Sequence, residues 1–465
     1  MLEHAASALF LDPGLGKTSI TLAAIKLLKK KKLLDKVLLI APLRVCYSVW
    51  PKEITKWEDF SALKIVVLHG PKKNDALKED ADIYVINPEG LDWLLQSQKS
   101  KSPTGKTKVA VDLKAFKALG FDTLIVDELS KFKHTNTNRF KALKLVLHTF
   151  ARRWGLTGSP ASNGLLDLFG QCFVIDQGRT LGAYISHYRS KYFIPSHDGF
   201  NWSIRPGADQ EIYDRLSPLA LRMAAEDYLD MPALIENNIR VDLPDSVMTM
   251  YNQLEDDLIA KIESKVIVAS TAAAASIKCR QVANGGIYLD QEVQALIKLP
   301  KSTKEWMNLH TEKVDALAEL IDELQGSPLL VAYDFAHDLD RLQTKLGKEV
   351  PYIGGGVTAK RSAELEALWN AGKLPVLLGH PQAMAHGLNL QEMGNHVCWH
   401  SLTWDYELYD QFIRRVLRQG NKSKKVFVHH IMARGTIDEV VLSSLKSKRR
   451  GQNALFDALK MLKNK

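Results

Sequence analysis

The stretch Ala8-Leu9-Phe10-Leu11-Asp12-Pro13-Gly14-Leu15-Gly16-Lys17-Thr18 constrains the fold of this chain more than any other. It begins apolar, turns through two glycines and ends in Lys-Thr at the mouth of a helical run, Ser19 to Leu28. A strand, a tight loop and a helix N-terminus together make an anion cradle. The glycines let backbone N–H groups approach a phosphate, and the helix dipole adds partial positive charge. In such a loop Gly14, Leu15 and Gly16 offer backbone, Lys17 reaches the β/γ-phosphates of a nucleotide and Thr18 ligates Mg²⁺. The eight-residue form of the motif wants glycine where Leu11 stands, so the loop reads as a seven-residue Asp-x-Gly-x-Gly-Lys-Thr variant or as a plain Gly-rich turn. The rest of the chain decides between them.

At 465 residues the chain exceeds one ordinary core, and two or three domains are expected. A net charge of +9 suits a polyanion-binding protein without requiring one. Cys46, Cys172, Cys279 and Cys398 lie far apart, which excludes a zinc ribbon or a disulfide framework and fits a reducing compartment. No apolar run approaches the roughly 20 residues of a membrane span. A cytosolic globular enzyme is the expectation.

Val37 to Ala41, Lys64 to Leu68, Asp82 to Ile86 and Asp122 to Val126 are short apolar runs separated by helical stretches. That alternation predicts a parallel α/β sheet with ligands at the carboxyl ends of its strands. One run ends in Asp127-Glu128, the way a nucleotide hydrolase presents a metal ligand (Asp127) and a water-polarising base (Glu128). Another ends in Leu156-Thr157-Gly158-Ser159-Pro160. The segment Gln96 to Lys108 reads as a basic flexible loop, either touching nucleic acid or simply solvated. Residues 161–300 are mostly helical by pattern. From His310 the α/β rhythm returns, with five apolar runs between Leu329 and Val428.

The order Asp-x-Gly-x-Gly-Lys-Thr, Ile40-Ala41-Pro42, Asp127-Glu128-Leu129-Ser130, Leu156-Thr157-Gly158-Ser159-Pro160 resembles motifs I, Ia, II and III of superfamily 2 helicase-like ATPases. Gly387-Leu388-Asn389-Leu390-Gln391 is similar to motif V, and Gln411-x-x-x-Arg415-x-x-Arg418-x-Gly420-Asn421 to motif VI. Leu221-Arg222 and Leu243-Pro244 resemble landmarks of the SWI/SNF-type branch, although Met223 stands where the branch has a second arginine. The resemblance spans nearly the whole chain, in a compact form of the sort that bacteriophages and bacteria carry.

The resemblance implies two RecA-like parallel-sheet lobes with a helical insertion: lobe 1 over 1–165, the insertion over 166–305, lobe 2 over 306–445 and a basic C-terminal helix over 446–465. It implies ATP and Mg²⁺ as cofactors, with Gly14, Leu15, Gly16, Lys17, Thr18 and Gln411 at the nucleotide and Thr18 and Asp127 at the metal. Glu128, Arg415 and Arg418 would be catalytic; the two arginines, three apart, share a face if they lie on a helix. Thr157 and Ser159 would couple hydrolysis to movement. Pro42, Arg44, Asn87, Gly387 and Asn389 lie in motifs that face double-stranded DNA. The implied activity is a DNA-dependent ATPase that translocates on duplex DNA, in the bacterial host cytoplasm if phage-encoded. A strand-separating helicase shares every motif. A scaffold with a dead ATPase is disfavoured by the intact Lys17, Glu128 and Arg415. The family usually places an adenine-reading glutamine before motif I; only seven residues precede that strand here, so adenine recognition has no candidate and a truncated start is one expectation.

Overall fold

The computed structural model describes residues 1–101, 107–195, 202–263, 269–289, 306–385 and 387–463, apart from the side chains of 257–263, 269–275 and 452–463. The chain divides into two compact units. Residues 1–229, with the stretch from Lys448, form one, and Asp230–Ser447 the other.

The first unit is built on a seven-stranded parallel sheet in the order β11-β1-β8-β7-β2-β4-β3. Its strands are β1 (Ala6–Leu11), β2 (Val37–Ile40), β3 (Ile65–Val67), β4 (Ile83–Ile86), β7 (Thr123–Asp127), β8 (Arg152–Thr157) and β11 (Ala220–Met223). Two antiparallel hairpins stand apart from it, β5 (Gln98–Lys101) with β6 (Thr107–Ala110), and β9 (Phe193–Pro195) with β10 (Trp202–Ile204). The strands β2, β4 and β7 read as apolar runs because both faces are covered. Ala8, Phe10, Leu38, Ile40, Leu124 and Val126 enter one core, while Leu9, Leu11, Val37, Leu39 and Ile125 enter the other.

The second unit carries a six-stranded parallel sheet, β12-β19-β18-β15-β17-β16. These are β12 (Ala233–Val241), β15 (Leu329–Ala332), β16 (Tyr352–Ile353), β17 (Val376–Gly379), β18 (His396–Trp399) and β19 (Lys425–Ala433). A small hairpin, β13 (Gly286–Tyr288) with β14 (Trp306–Asn308), completes its strands among the described residues. Two parallel sheets with helices are the two-lobe RecA-like α/β fold that the sequence implied.

The boundaries differ from those expected. Residues 166–305 are rich in helix, but they divide between the units. Leu168, Phe169, Ile212 and Leu216 pack into the first unit's core, and β11 adds to its sheet beside β1. The strand β12 instead pairs along its nine residues with β19 in the second unit. Both are edge strands, β11 broken by Arg222 and β12 by Glu236, Asn237, Asn238 and Arg240, so neither shows the apolar run that marks a central strand. The basic loop after Gln96 is in fact the β5–β6 hairpin; its residues 102–106, including Lys106, lie outside the described residues. Of the stretch 446–465, residues 446–463 are the end of a longer helix, Ile437–Lys463, and the side chains of Leu455, Leu459 and Leu462 lie outside the described residues.

Candidate nucleotide site and motif residues

Parallel register sets the first unit's site. Phe10 pairs with Thr157, and Asp127 with Leu156, so the ends of β1, β8 and β7 come level. Ile40 pairs with both Val126 and Ile86, which brings Pro42 and Asn87 to the same edge. Every motif of the first unit therefore leaves the sheet at its carboxyl edge.

The loop after β1 runs into the helix Lys17–Lys30. Gly14 and Gly16 take φ of 94° and 73°, a region that side chains enter at a cost, and a Cβ on Gly16 would press on the Ser19 hydroxyl at 3.0 Å. Lys17 Nζ donates to the carbonyls of Leu11 (2.7 Å) and Asp12 (3.3 Å), holding the ammonium over the loop. The Asp12 carboxylate accepts from Arg222 at 2.9 Å and from the backbone N–H of Ala225 at 3.0 Å. Arg222 also donates to the carbonyls of Phe10 and Met223. A buried, multiply bonded ion pair thus clamps the loop to β11. Asp12 and Arg222 stand 210 residues apart, and no pattern in the sequence joins them.

Glu128 follows β7 with φ 61°, a conformation costly for a non-glycine residue and typical of functional sites. Its carboxylate accepts from Thr157 Oγ1 and from Ser130 Oγ, each at 2.9 Å. Thr157 Oγ1 in turn accepts from the Ser159 N–H at 3.1 Å. Asp127 accepts from the Trp50 indole at 2.9 Å and from the Glu128 N–H at 3.1 Å. Burial pushes its carboxyl up to about 6; the Glu128 charge adds to this, while the Trp50 bond and the Lys17 ammonium oppose it.

The residues present suit Mg²⁺. The Thr18 hydroxyl has no hydrogen-bond partner among the described residues, and the Asp127 carboxylate keeps lone pairs beyond its two bonds. One hydroxyl and one carboxylate fit an ion that keeps water and phosphate in its shell. Among the described residues no cluster of three or more His, Cys, Asp or Glu could hold a metal.

Pro42 precedes the short helix Leu43–Ser48, which carries Arg44. Asn87, 7 % exposed, donates to Glu89 at 2.8 Å.

In the second unit the helix Tyr406–Ile413 ends before both arginines of motif VI, which lie in the turns that follow. The shared helical face expected for Arg415 and Arg418 is therefore absent: the chain turns back toward motif V instead. Arg415 is buried and donates to the carbonyls of Gln411 (3.0 Å), Leu388 (2.9 Å) and Ala385 (2.7 Å). Its own carbonyl accepts from Leu390 N–H. Arg418 is less buried and donates to the Asn389 side chain. Gln411 Nε2 donates to Glu407 at 3.3 Å, and Gly387 adopts φ 73° in the motif V loop. The motif VI arginines thus join the two motifs, Arg415 through the Leu388 and Ala385 carbonyls and Arg418 through Asn389.

Comparison with known proteins agrees with this architecture. Residues 3–296 match the SNF2-related domain and residues 312–420 the helicase conserved C-terminal domain. Protein p41 of Acyrthosiphon pisum secondary endosymbiont phage 1 is 33% identical over 477 aligned residues, covering 99% of this chain and 96% of that protein. The Xenopus laevis SWI/SNF-related matrix-associated actin-dependent regulator of chromatin subfamily A-like protein 1 is 26% identical over 80% of this chain, which spans 37% of that longer relative. A Sulfolobus solfataricus SWI2/SNF2 ATPase core, solved in complex with dsDNA, aligns over 96% of this chain and 87% of its own at 24% identity, with a TM-score of 0.41. With the SNF2-related domain over more than half its length and the helicase C-terminal domain behind it, the chain belongs to the SNF2-related family and is a helicase-like, ATP-hydrolysing enzyme.

Proposed function

We propose that this protein is a DNA-dependent ATPase that turns ATP hydrolysis into translocation along double-stranded DNA. The observation that carries the hydrolytic half is the Glu128 carboxylate, fixed by Thr157 and Ser130 on the same sheet edge as Lys17 and Asp127. In the proposed reaction the loop backbone from Gly14 to Gly16 and Lys17 bind the β- and γ-phosphates. A water oxygen attacks the γ-phosphorus, Glu128 accepts that water's proton, and the bond to the leaving ADP oxygen breaks. Thr18 and Asp127 would hold Mg²⁺, which supplies charge neutralisation on the phosphates. Arg418 is assigned to the developing phosphate charge, with Arg415 and Gln411 supporting it. Thr157 donates to Glu128 and accepts from the Ser159 N–H, and this relay is assigned to coupling hydrolysis to movement.

The DNA half is supported by the net charge of +9, by the carboxyl-edge placement of Pro42, Arg44 and Asn87, and by a relative named as a regulator of chromatin. Gly387 and Asn389 are assigned to the same backbone contacts. Such contacts go mainly to phosphates and are indifferent to sequence. The similarity to a phage protein supports action in a bacterial host's cytoplasm. Triplex displacement tests this reading. ATP should drive loss of a third strand while a blunt duplex stays paired, and duplex should stimulate hydrolysis more than single strands of equal length. Robust unwinding of a tailed duplex, with best stimulation by single strands, would replace the translocase reading with the helicase one.

A further inference from the structure

Trp50 is absent from every motif assigned above, yet its side chain ends on one of the two acids of motif II. It opens the helix Trp50–Lys56 and is fully buried in the core cluster that also holds Leu9, Leu39 and Ile125. A buried indole in this core does not need a polar partner. Trp154, in the same cluster and equally buried, leaves its Nε1 unbonded. Trp50 Nε1 instead donates to Asp127 Oδ2 at 2.9 Å, while Asp127 Oδ1 accepts the Glu128 N–H at 3.1 Å. One fixed donor on each oxygen sets both the rotamer and the plane of the carboxylate. A rotation about χ2 would break both bonds at once.

The bond also has a second end. Trp50 stands six residues after Arg44, across the helix Leu43–Ser48, and the helices Leu43–Ser48 and Trp50–Lys56 pack together. The segment is tied to the sheet edge by Cys46 Sγ on the Ala41 carbonyl at 3.2 Å. The segment that carries Arg44, assigned above to DNA, therefore also carries the group bonded to Asp127, assigned above to the cation.

We propose that Trp50 is a positioning residue: its indole N–H presets the Asp127 carboxylate for the divalent cation that accompanies the nucleotide. The inference rests on the assignment of Asp127 to the cation made above. An indole donor is the suitable group for this task. It offers one rigid N–H, has no acceptor and no charge, and does not compete with the metal for the carboxylate. A hydrogen bond to an ionised acceptor is worth more than a neutral one, so its loss is measurable against the cation's own affinity.

The test is equilibrium binding of a fluorescent, non-hydrolysable ATP analogue to the full chain, measured in Mg²⁺ and in EDTA. Mg²⁺ should tighten binding by the wild type, and Asp127→Asn should abolish that gain. Trp50→Phe keeps an apolar ring and removes the donor. It should bind within about twofold of wild type in EDTA and lose about tenfold of the Mg²⁺-dependent gain, the loss typical of one charge-assisted bond. The double variant should be no worse than Asp127→Asn alone. Trp50→Leu, which also lacks a donor, serves the same comparison should Trp50→Phe fail to fold. A full Mg²⁺ gain in Trp50→Phe, with the gain lost in Asp127→Asn, overturns the inference and leaves the assignment of Asp127 standing. Equal weakening in Mg²⁺ and EDTA reduces Trp50 to core filling and overturns it too. A full gain in Asp127→Asn removes Asp127 from the metal site, and the inference falls with it.

Discussion

Acidification from pH 7 to pH 5 should weaken the second unit through histidines that are buried uncharged, and His430 is the most tractable of them. It is fully buried on β19 beside Asn238 of β12. Its Nδ1 lies 3.0 Å from Asn238 Oδ1, which can only accept, so Nδ1 carries the proton; Nε2, 2.8 Å from the Tyr409 hydroxyl, then accepts. The neutral ring is fully bonded. Burial pulls its pKa down to about 4, against about 6.5 for an unfolded histidine. Between those values the unfolded chain binds a proton that the folded chain does not. Stability therefore rises with pH in that window and is lost as pH falls from about 6.5 toward 4. The slope is at most about 1.4 kcal/mol per pH unit for one imidazole, and the fall from pH 7 to pH 5 is about 2 kcal/mol. His310 and His429, also lowered to about 4, and His400, lowered to about 3, add in the same direction. His430→Gln keeps a donor and an acceptor and cannot titrate. Urea unfolding followed by tryptophan fluorescence, to which Trp399, stacked on Tyr409 at 5.0 Å, contributes, reports the transition. The variant should show a pH slope about 1 kcal/mol per unit shallower than wild type between pH 4.5 and 6. An identical slope in the two proteins refutes the reasoning.

Lys17→Ala removes a cation from the phosphate loop and should weaken fluorescent-nucleotide binding by roughly 10–100-fold, whereas Glu128→Gln should bind normally and fail to turn over. Equal loss of affinity in both would show that these roles are not divided as proposed. Thr157→Val removes the 2.9 Å bond to Glu128 and should lower kcat by about tenfold with nucleotide affinity unchanged, as steady-state kinetics would report. Arg415→Ala loses three bonds to carbonyls and should destabilise the second unit by about 3 kcal/mol in urea unfolding. Arg418→Ala should leave stability within about 1 kcal/mol but cut DNA-stimulated turnover by roughly 10³–10⁵.

Local chemistry by itself determined much of this protein. Val37 to Ala41 and Leu329 to Tyr333 are unbroken apolar runs because a parallel strand is covered on both faces, so the two sheets were legible. Gly14 and Gly16 before Lys17 were legible because only glycine enters those φ values cheaply beside an anion. Asp127-Glu128 and Thr157 were legible because strand ends present side chains to one edge. What the sequence could not show is which separated residues meet. The Arg222–Asp12 clamp spans 210 residues, and the Trp50–Asp127 bond spans 77. Edge strands β11 and β12, each paired on one side only, carry polar residues and lose the apolar signature, so the unit boundary had to come from the packing. Spacing suggested that Arg415 and Arg418 share a helical face; the helix ends at Ile413, and three carbonyls fix Arg415 in a turn. Periodicity reports what one element does with its own surface, while ion pairs, edge pairing and helix ends are settled by groups that only the folded chain brings within reach.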